Sequence, residues 1–236
     1  MKLAAISDLH VGASERADGF RHDESEFLGF LDELEANHDR IVVLGDLFQT
    51  EHGWWFGKRV AAAEIKRAWR RLPRLWDRVC SANYIYVHGN HDHVARDMVL
   101  ARERWRIESD GFSVLFIHGH QFDPLLRWAY PAARFGTWFS GRARTVGAGG
   151  FADWLEHRDV TIKAKRFSGE AGPYAQAARR LMREQRADVV VMGHTHTPER
   201  VVLGDGVLAN TGTCSMGNRM YVSIDTEAKS VELYTG

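Results

Sequence analysis

Five short apolar runs, each closing on a cluster of Gly, Asp, Asn or His, set the rhythm of this chain. Residues 2–7 lead into Asp8 and His10, 40–44 into Gly45-Asp46, and 83–87 into His88-Gly89-Asn90-His91-Asp92. Residues 113–117 lead into His118-Gly119-His120, and 189–192 into Gly193-His194-Thr195-His196. Runs of this length without polar alternation suit strands buried on both faces. Between them, 24–37 places Phe27, Leu28, Leu31 and Leu34 on one helical face, and 61–76 does the same with Ile65, Ala68, Trp69, Leu72 and Leu75. The alternation predicts an α/β layout with its catalytic edge at the carboxyl ends of the strands, where open α/β sheets bind ligands. Beyond His196, short runs at 201–203, 207–209, 220–224 and 231–234 predict a second, mainly antiparallel sheet.

The segment 121–172 breaks this rhythm. It is dense in aromatic residues and carries a glycine-rich break at Gly147, Gly149 and Gly150, which predicts a helical insertion capping the site within one domain spanning 1–236. Its basic residues are Arg127, Arg134, Arg142, Arg144, Arg158, Lys163, Lys165 and Arg166, and they outnumber its acidic ones. Mixed rings and cations fit an acyl-chain groove with phosphate clamps, a channel for single-stranded nucleic acid, or a small subdomain packed for its own sake. Arg142, Arg144, Lys163, Lys165 and Arg166 are the candidate substrate contacts in this stretch. A second basic element surrounds 58–78, where an apolar face of Ile65, Trp69, Leu72 and Trp76 is flanked by arginines and lysines. Such a helix suits an anionic membrane surface or simply a solvated face. Trp54, Trp55 and Phe56 stand just before it as candidates for an apolar entrance.

Composition narrows the function classes. With 31 basic and 31 acidic residues among 236, the balanced charge does not favour a nucleic-acid partner. The amino-terminal MKLAAISD lacks the apolar core of a signal peptide, so the expected location is cytoplasmic. Cys80 and Cys214 are too few for a disulfide framework and are expected to be two buried thiols.

The polar clusters suggest a chemistry. Phosphate esters resist nucleophiles because their oxygens are negative, and a pair of divalent cations overcomes this by neutralising charge and supplying a nucleophile at neutral pH. Carboxylate, amide and imidazole ligands suit such ions. Asp8, His10, Asp46, Asn90, His118, His194 and His196 form that set. One Asp-x-His or Gly-Asp in isolation usually marks a turn or a helix cap, but five clusters on five apolar runs point to one site.

Those motifs, Asp8-x-His10, Gly45-Asp46, Gly89-Asn90-His91-Asp92, His118-Gly119 and Gly193-His194-x-His196, resemble the signature blocks of calcineurin-like metallophosphoesterases in the same order. The resemblance implies a four-layer α/β/β/α sandwich and two divalent metal ions. Asp8, His10, Asp46 and His196 would hold one, and Asp46, Asn90, His118 and His194 the other, with Asp46 as the bridge. Manganese is the expected ion, and iron, zinc or cobalt suit the same ligands. The resemblance also puts His91 near the leaving group or a phosphate oxygen, as a catalytic residue; the bland alternative is a hydrogen bonder behind the ligands. Asn90 and His120 are candidate substrate contacts, and Asp92 is expected to orient the turn.

Within that superfamily the chain is similar to UDP-2,3-diacylglucosamine pyrophosphohydrolase-like proteins. The likeness rests on its length, Gly45-Asp46-Leu47-Phe48, the stretch from His118 through Gln121-Phe122-Asp123, the aromatic insertion, and Asn210-Thr211-Gly212-Thr213. His91 stands where that branch carries arginine, and His120 where it carries aspartate. The resemblance implies hydrolysis of a phosphodiester or pyrophosphate bond, with a nucleotide-linked lipid as substrate and peripheral contact with the inner membrane face. The alternative is a phosphodiesterase or nuclease acting on soluble nucleotides or DNA. A non-enzymatic scaffold is disfavoured by the complete ligand set.

Overall fold

The first strand, β1 (Lys2–Ile6), shows how the sandwich is built: Leu3 and Ala5 point to one apolar layer, Ala4 and Ile6 to another, and all four are buried. It is followed by α1 (Glu24–Asn37), β2 (Arg40–Leu44), α2 (Lys58–Arg71), α3 (Pro73–Val79), β3 (Tyr84–Val87), α4 (Ala95–Met98), β4 (Arg104–Ser109) and β5 (Phe112–Ile117). Then come α5 (Tyr130–Thr145), α6 (Gly149–Phe167), α7 (Pro173–Gln185), β6 (Val189–Met192), β7 (Pro198–Leu203), β8 (Gly206–Thr211), β9 (Met220–Asp225) and β10 (Ser230–Thr235). This computed structural model describes the backbone except at 51, 53, 54, 56, 100, 125, 127–129, 205 and 236, and it also omits the side chains of 17, 130–135, 137, 145, 152, 153, 156, 159, 163 and 166.

Two mixed five-stranded sheets, ordered β10-β9-β1-β2-β3 and β4-β5-β6-β8-β7, face one another. Val42, Leu44, Val114, Phe116, Val189, Val191, Val222 and Ile224 form the layer between them. Phe27, Leu31 and Leu34 of α1, with Ile65, Ala68 and Leu75, cover the outer face of the first sheet. Tyr174, Ala175, Ala178 and Leu181 of α7 cover that of the second. The result is the four-layer α/β/β/α arrangement. Strands buried on both sides need no polar alternation, so β1, β2, β5 and β6 read as continuous apolar runs.

Several local expectations are corrected. The helix expected over 61–76 is two helices, because Pro73 lacks the amide that would continue α2 and instead occupies the first turn of α3, where no such donor is needed. The late strands do not form one second sheet. β7 and β8 join β4, β5 and β6, while β9 and β10 extend the first sheet through antiparallel pairing of β9 with β1. Strand β4 was not anticipated; its residues alternate between exposed and partly buried, as befits an edge with one wet face. Cys80 is exposed and Cys214 buried, so the thiols are not a matched pair.

Between β5 and α7 the chain leaves the sheets for α5 and α6, which pack on each other, and α5 reaches the short helical turn Glu15–Ala17 after β1. The aromatic residues Trp54, Phe56 and Trp128, like Arg127, lie outside the described residues, as do the side chains of Arg134, Phe135, Lys163 and Arg166. Among the described residues no helix is long and apolar enough to cross a membrane.

Phe27 is fully buried on α1, with ring centroids 4.8 Å from Phe20 and 5.5 Å from Phe30. Phe27→Ala is expected to lower stability by about 3–5 kcal/mol through lost burial and the cavity left behind, read as a shift of the urea midpoint at unchanged slope.

Candidate metal centre

The carboxyl ends of β1, β2 and β3 in one sheet and β5 and β6 in the other meet at one edge of the sandwich. Asp8, His10, Asp46, His194 and His196 all adopt left-handed backbone there, with φ between 51° and 68°. Asp and His are among the non-glycine residues that enter this region most readily, and such positions concentrate at functional sites. The turns are held by hydrogen bonds prolonging the β1–β2 pairing, from Asp8 N to Gly45 O (3.1 Å), His10 N to Asp46 O (2.9 Å) and Val11 N to Leu47 O (2.9 Å).

These turns bring two sets of candidate ligand atoms together. Asp8, His10 and His196 form one group, and Asp46, His118 and His194 another, with the atoms of each group within 4.8 Å of one another. Asp46 also groups with His10 and His91, so it stands between the two sets. His10 Nε2 lies 3.0 Å from His196 Nε2, and Asp8 Oδ1 lies 3.2 Å from His196 Nε2 and 3.7 Å from His10 Nε2. His118 Nε2 is 3.2 Å from Asp46 Oδ2. Gly89 is required beside this pair, since a Cβ there would come 2.1 Å from Asp46 Oδ1. The close approach lays the Asn90 loop on Asp46.

Asp8 Oδ1, Asn90 Oδ1 and His118 Nε2 are buried without a hydrogen-bond partner. Orphaned buried acceptors of this kind call for an explanation, and a hard cation supplies one. The donor set fits such ions. Burial opposes the charge of Asp8 and Asp46, yet the imidazoles around them hold both carboxyls well below the usual range. Burial alone would push the His118 ring down, but the Asp46 carboxylate carries it up to about 10.

Behind the ligand atoms is a shell of buried polar groups. Asp92 accepts from Leu47 N (2.7 Å), Gly89 N (2.6 Å) and the Tyr86 hydroxyl (2.6 Å), tying the Asp46 loop to the Asn90 loop, which matches the expected orienting role. Asn210 donates to Gly193 O (2.7 Å) and Thr213 to Asp8 O (2.9 Å), so the 210–213 stretch braces both ends of the cluster. Two further residues were given no role at the site by the sequence, although Asp123 closes the stretch that carries the family likeness. Asp123, almost fully buried, pairs with His194 Nε2 at 2.8 Å, so a metal ion at His194 would be met by Nδ1. Gln49 contacts both His10 and His91. The one signal was position: Gln49 lies three residues after Asp46, and Asp123 five after His118.

The remaining candidates are placed unevenly. His91 donates its backbone N–H to Asp46 Oδ1 at 2.8 Å, and burial pushes its ring down to about 3. His120 lies beside His118, with ring centroids 5.5 Å apart, and burial pushes it down to about 2. Arg142 donates to His52 O at 2.6 Å, fastening α5 to the loop after Asp46. Arg144 is buried and lines a cavity of about 600 Å³ with Arg16, Arg21, Glu15 and Asp18. Lys165 is exposed, and the side chains of Lys163 and Arg166 are outside the described set.

Comparison with known proteins settles the family: the calcineurin-like phosphoesterase profile matches residues 1–198. The chain belongs to the calcineurin-like phosphoesterase family. It is 25% identical over 244 residues to a UDP-2,3-diacylglucosamine hydrolase of Shewanella halifaxensis, covering 87% of this chain and 90% of that one. It is also 25% identical over 245 residues to the hydrolase of the same name from Shewanella pealeana, with the same coverage. The solved structure of Vps29 from Chaetomium thermophilum aligns with 100% of this chain and 95% of its own, at a TM-score of 0.50 and 11% identity, a likeness of fold alone. As a calcineurin-like phosphoesterase with hydrolase relatives, the protein is a metal-dependent phosphoester or diphosphate hydrolase.

If the two groups each take up a manganese ion, Asp123→Asn should weaken one of the two binding steps by about 10–100-fold, the usual effect of losing a carboxylate behind a metal-bound histidine, and leave the other nearly unchanged. Calorimetric titration of the metal-free protein resolves the two steps. Equal weakening of both would show that Asp123 acts on the fold rather than on His194.

Proposed function

We propose that this calcineurin-like phosphoesterase hydrolyses the pyrophosphate bond of a nucleotide-linked, acylated sugar of the UDP-2,3-diacylglucosamine type. Two divalent ions, manganese by expectation, would be held by Asp8, His10, Asp46 and His196 and by Asp46, Asn90, His118 and His194. Bound there, such ions neutralise phosphoryl charge and supply a nucleophile at neutral pH. Asp46, already between the two groups, is the shared ligand. His91, beside Asp46 and uncharged, serves as a hydrogen-bond donor to a phosphate or leaving-group oxygen.

The observation that carries the substrate reading is the apolar surface of the two helices between β5 and α7. Phe139 is 45% exposed, Phe151 48% and Trp154 52%, a concentration of half-exposed rings on one pair of helices. Exposed apolar clusters of this sort mark binding surfaces. We take 121–172 as a cap whose rings receive acyl chains, while the cavity bearing Arg16, Arg21 and Arg144 receives the polar end of the substrate. The names of the Shewanella relatives support this reading. Lys58, Arg59, Lys66, Arg67, Arg70 and Arg74 are exposed along and after α2, and they suit contact with an anionic leaflet.

Each methylene buried in the cap contributes about 0.8 kcal/mol, so UDP-2,3-diacylglucosamine should be cleaved at far lower concentration than the same head group without chains. Phe139→Ser should raise the KM for the lipid and spare bis(p-nitrophenyl) phosphate. Cyclic nucleotides and single-stranded DNA form the other arms of the assay, and faster cleavage of either with no benefit from acyl chains would replace the lipid reading with a soluble phosphodiesterase or nuclease.

His91→Ala should retain both manganese ions and lower turnover by about 10²–10⁴-fold. Loss of metal together with activity would make His91 a ligand.

A further inference from the structure

Gln49 is a buried amide with both ends engaged. Its Oε1 lies 2.7 Å from His10 Nδ1, and its Nε2 lies 3.1 Å from Thr50 O and 2.9 Å from His91 Nδ1. The orientation of a glutamine amide is normally a matter of inference, but a backbone carbonyl only accepts hydrogen bonds. Thr50 O therefore requires the amide nitrogen on its side. Rotating the amide by half a turn would set Oε1 against Thr50 O, so Oε1 faces His10.

The rest follows from the donor and acceptor inventory of imidazole. Oε1 has no proton to give, so His10 Nδ1 carries the hydrogen and a neutral His10 keeps its lone pair on Nε2, the atom beside Asp8 Oδ1 and His196 Nε2. The second proton of the Gln49 amide points at His91 Nδ1, which must accept. The hydrogen of His91 then sits on Nε2. A hydrogen on both His91 nitrogens would bring two donors face to face at 2.9 Å.

We propose that Gln49 is a positioning residue that assigns opposite roles to two adjacent histidines: His10 turns the lone pair of Nε2 toward a cation, and His91 presents an Nε2–H for a phosphate oxygen. The inference rests on the proposed reading of the cluster as a metal site, and it deepens that reading. It accounts for how two like side chains, with ring centroids 5.2 Å apart, divide into ligand and donor. Thr50 and His91 are locked into the same unit, because the Thr50 hydroxyl donates to His91 O.

Proton-detected nitrogen NMR of the histidine rings in the metal-free protein reads the tautomers directly, with Gln49→Glu as the diagnostic variant. In the wild type, His10 should appear as the Nδ1–H form and His91 as the Nε2–H form. A glutamate accepts at both oxygens and gives up the donor to Thr50 O, so in Gln49→Glu the side chain shifts off that carbonyl, His10 keeps its Nδ1 hydrogen and the His91 hydrogen moves to Nδ1. Manganese affinity should then stay within about threefold while kcat falls about 10–100-fold at little-changed KM, the scale of a displaced outer-shell partner. Wild-type His91 in the Nδ1–H form, or a His91 tautomer untouched by Gln49→Glu, would overturn the proposal. The wild-type spectrum stands alone should the variant fold poorly. Expected tautomers in a protein that binds no manganese would instead overturn the metal reading and leave the role of Gln49 in place.

Discussion

Asp8 and Asp46 hold two carboxylates at the seam between the sheets, essentially closed to water, and the side chains paired with them are histidines rather than lysines or arginines. Burying an ion costs several kcal/mol even after the surroundings relax, so each carboxylate must be met by donors or by positive charge. Part of the compensation is local. Asp8 Oδ2 accepts from His194 N at 2.9 Å and from the Ser7 hydroxyl, and Asp46 Oδ1 accepts from His91 N at 2.8 Å. What these donors leave unmet, at Asp8 Oδ1 and around Asp46 Oδ2, lies among the imidazoles, which is where a divalent ion is most strongly favoured.

That demand explains the strain in the surrounding backbone. Five of the seven ligand candidates occupy left-handed conformations, at a cost of roughly 1–3 kcal/mol each. A strand ending in ordinary extended geometry would carry these side chains onward, past the seam. The left-handed turn folds them back, and the rigid β1–β2 extension and the buried Asp92 hub keep them there. Stability is thus invested in the two apolar layers on either side of the sheets and drawn down at the edge where chemistry is done.

Among the described residues, three contacts tie the stretch between β5 and α7 to this edge. Arg142 reaches the carbonyl of His52, α5 touches the turn after β1, and Asp123, at the start of the excursion, reaches back to His194. Asp123 therefore joins the segment carrying the exposed rings to the ligand cluster itself.

The order of the polar clusters and the apolar runs before them were enough to place Asp8, His10, Asp46, Asn90, His118, His194 and His196 at strand ends, because a strand buried on both faces leaves an unbroken apolar signature. The family could be read from those motifs, since the spacing of ligands along the chain follows the spacing of strands in the sheets. Sequence did not reveal which sheet each late strand joins: β7 to β10 are short, similar in composition, and sorted by which edge is free, with β9 taking the open side of β1. It did not reveal Asp123 or Gln49 either, for a carboxylate or amide is assigned its task by the ring it faces, and those rings lie 71 residues from Asp123 and 39 and 42 from Gln49 along the chain. The candidate ligands are thus written into local pattern, whereas their orientation is a property of contacts that exist only once both sheets have closed on the seam.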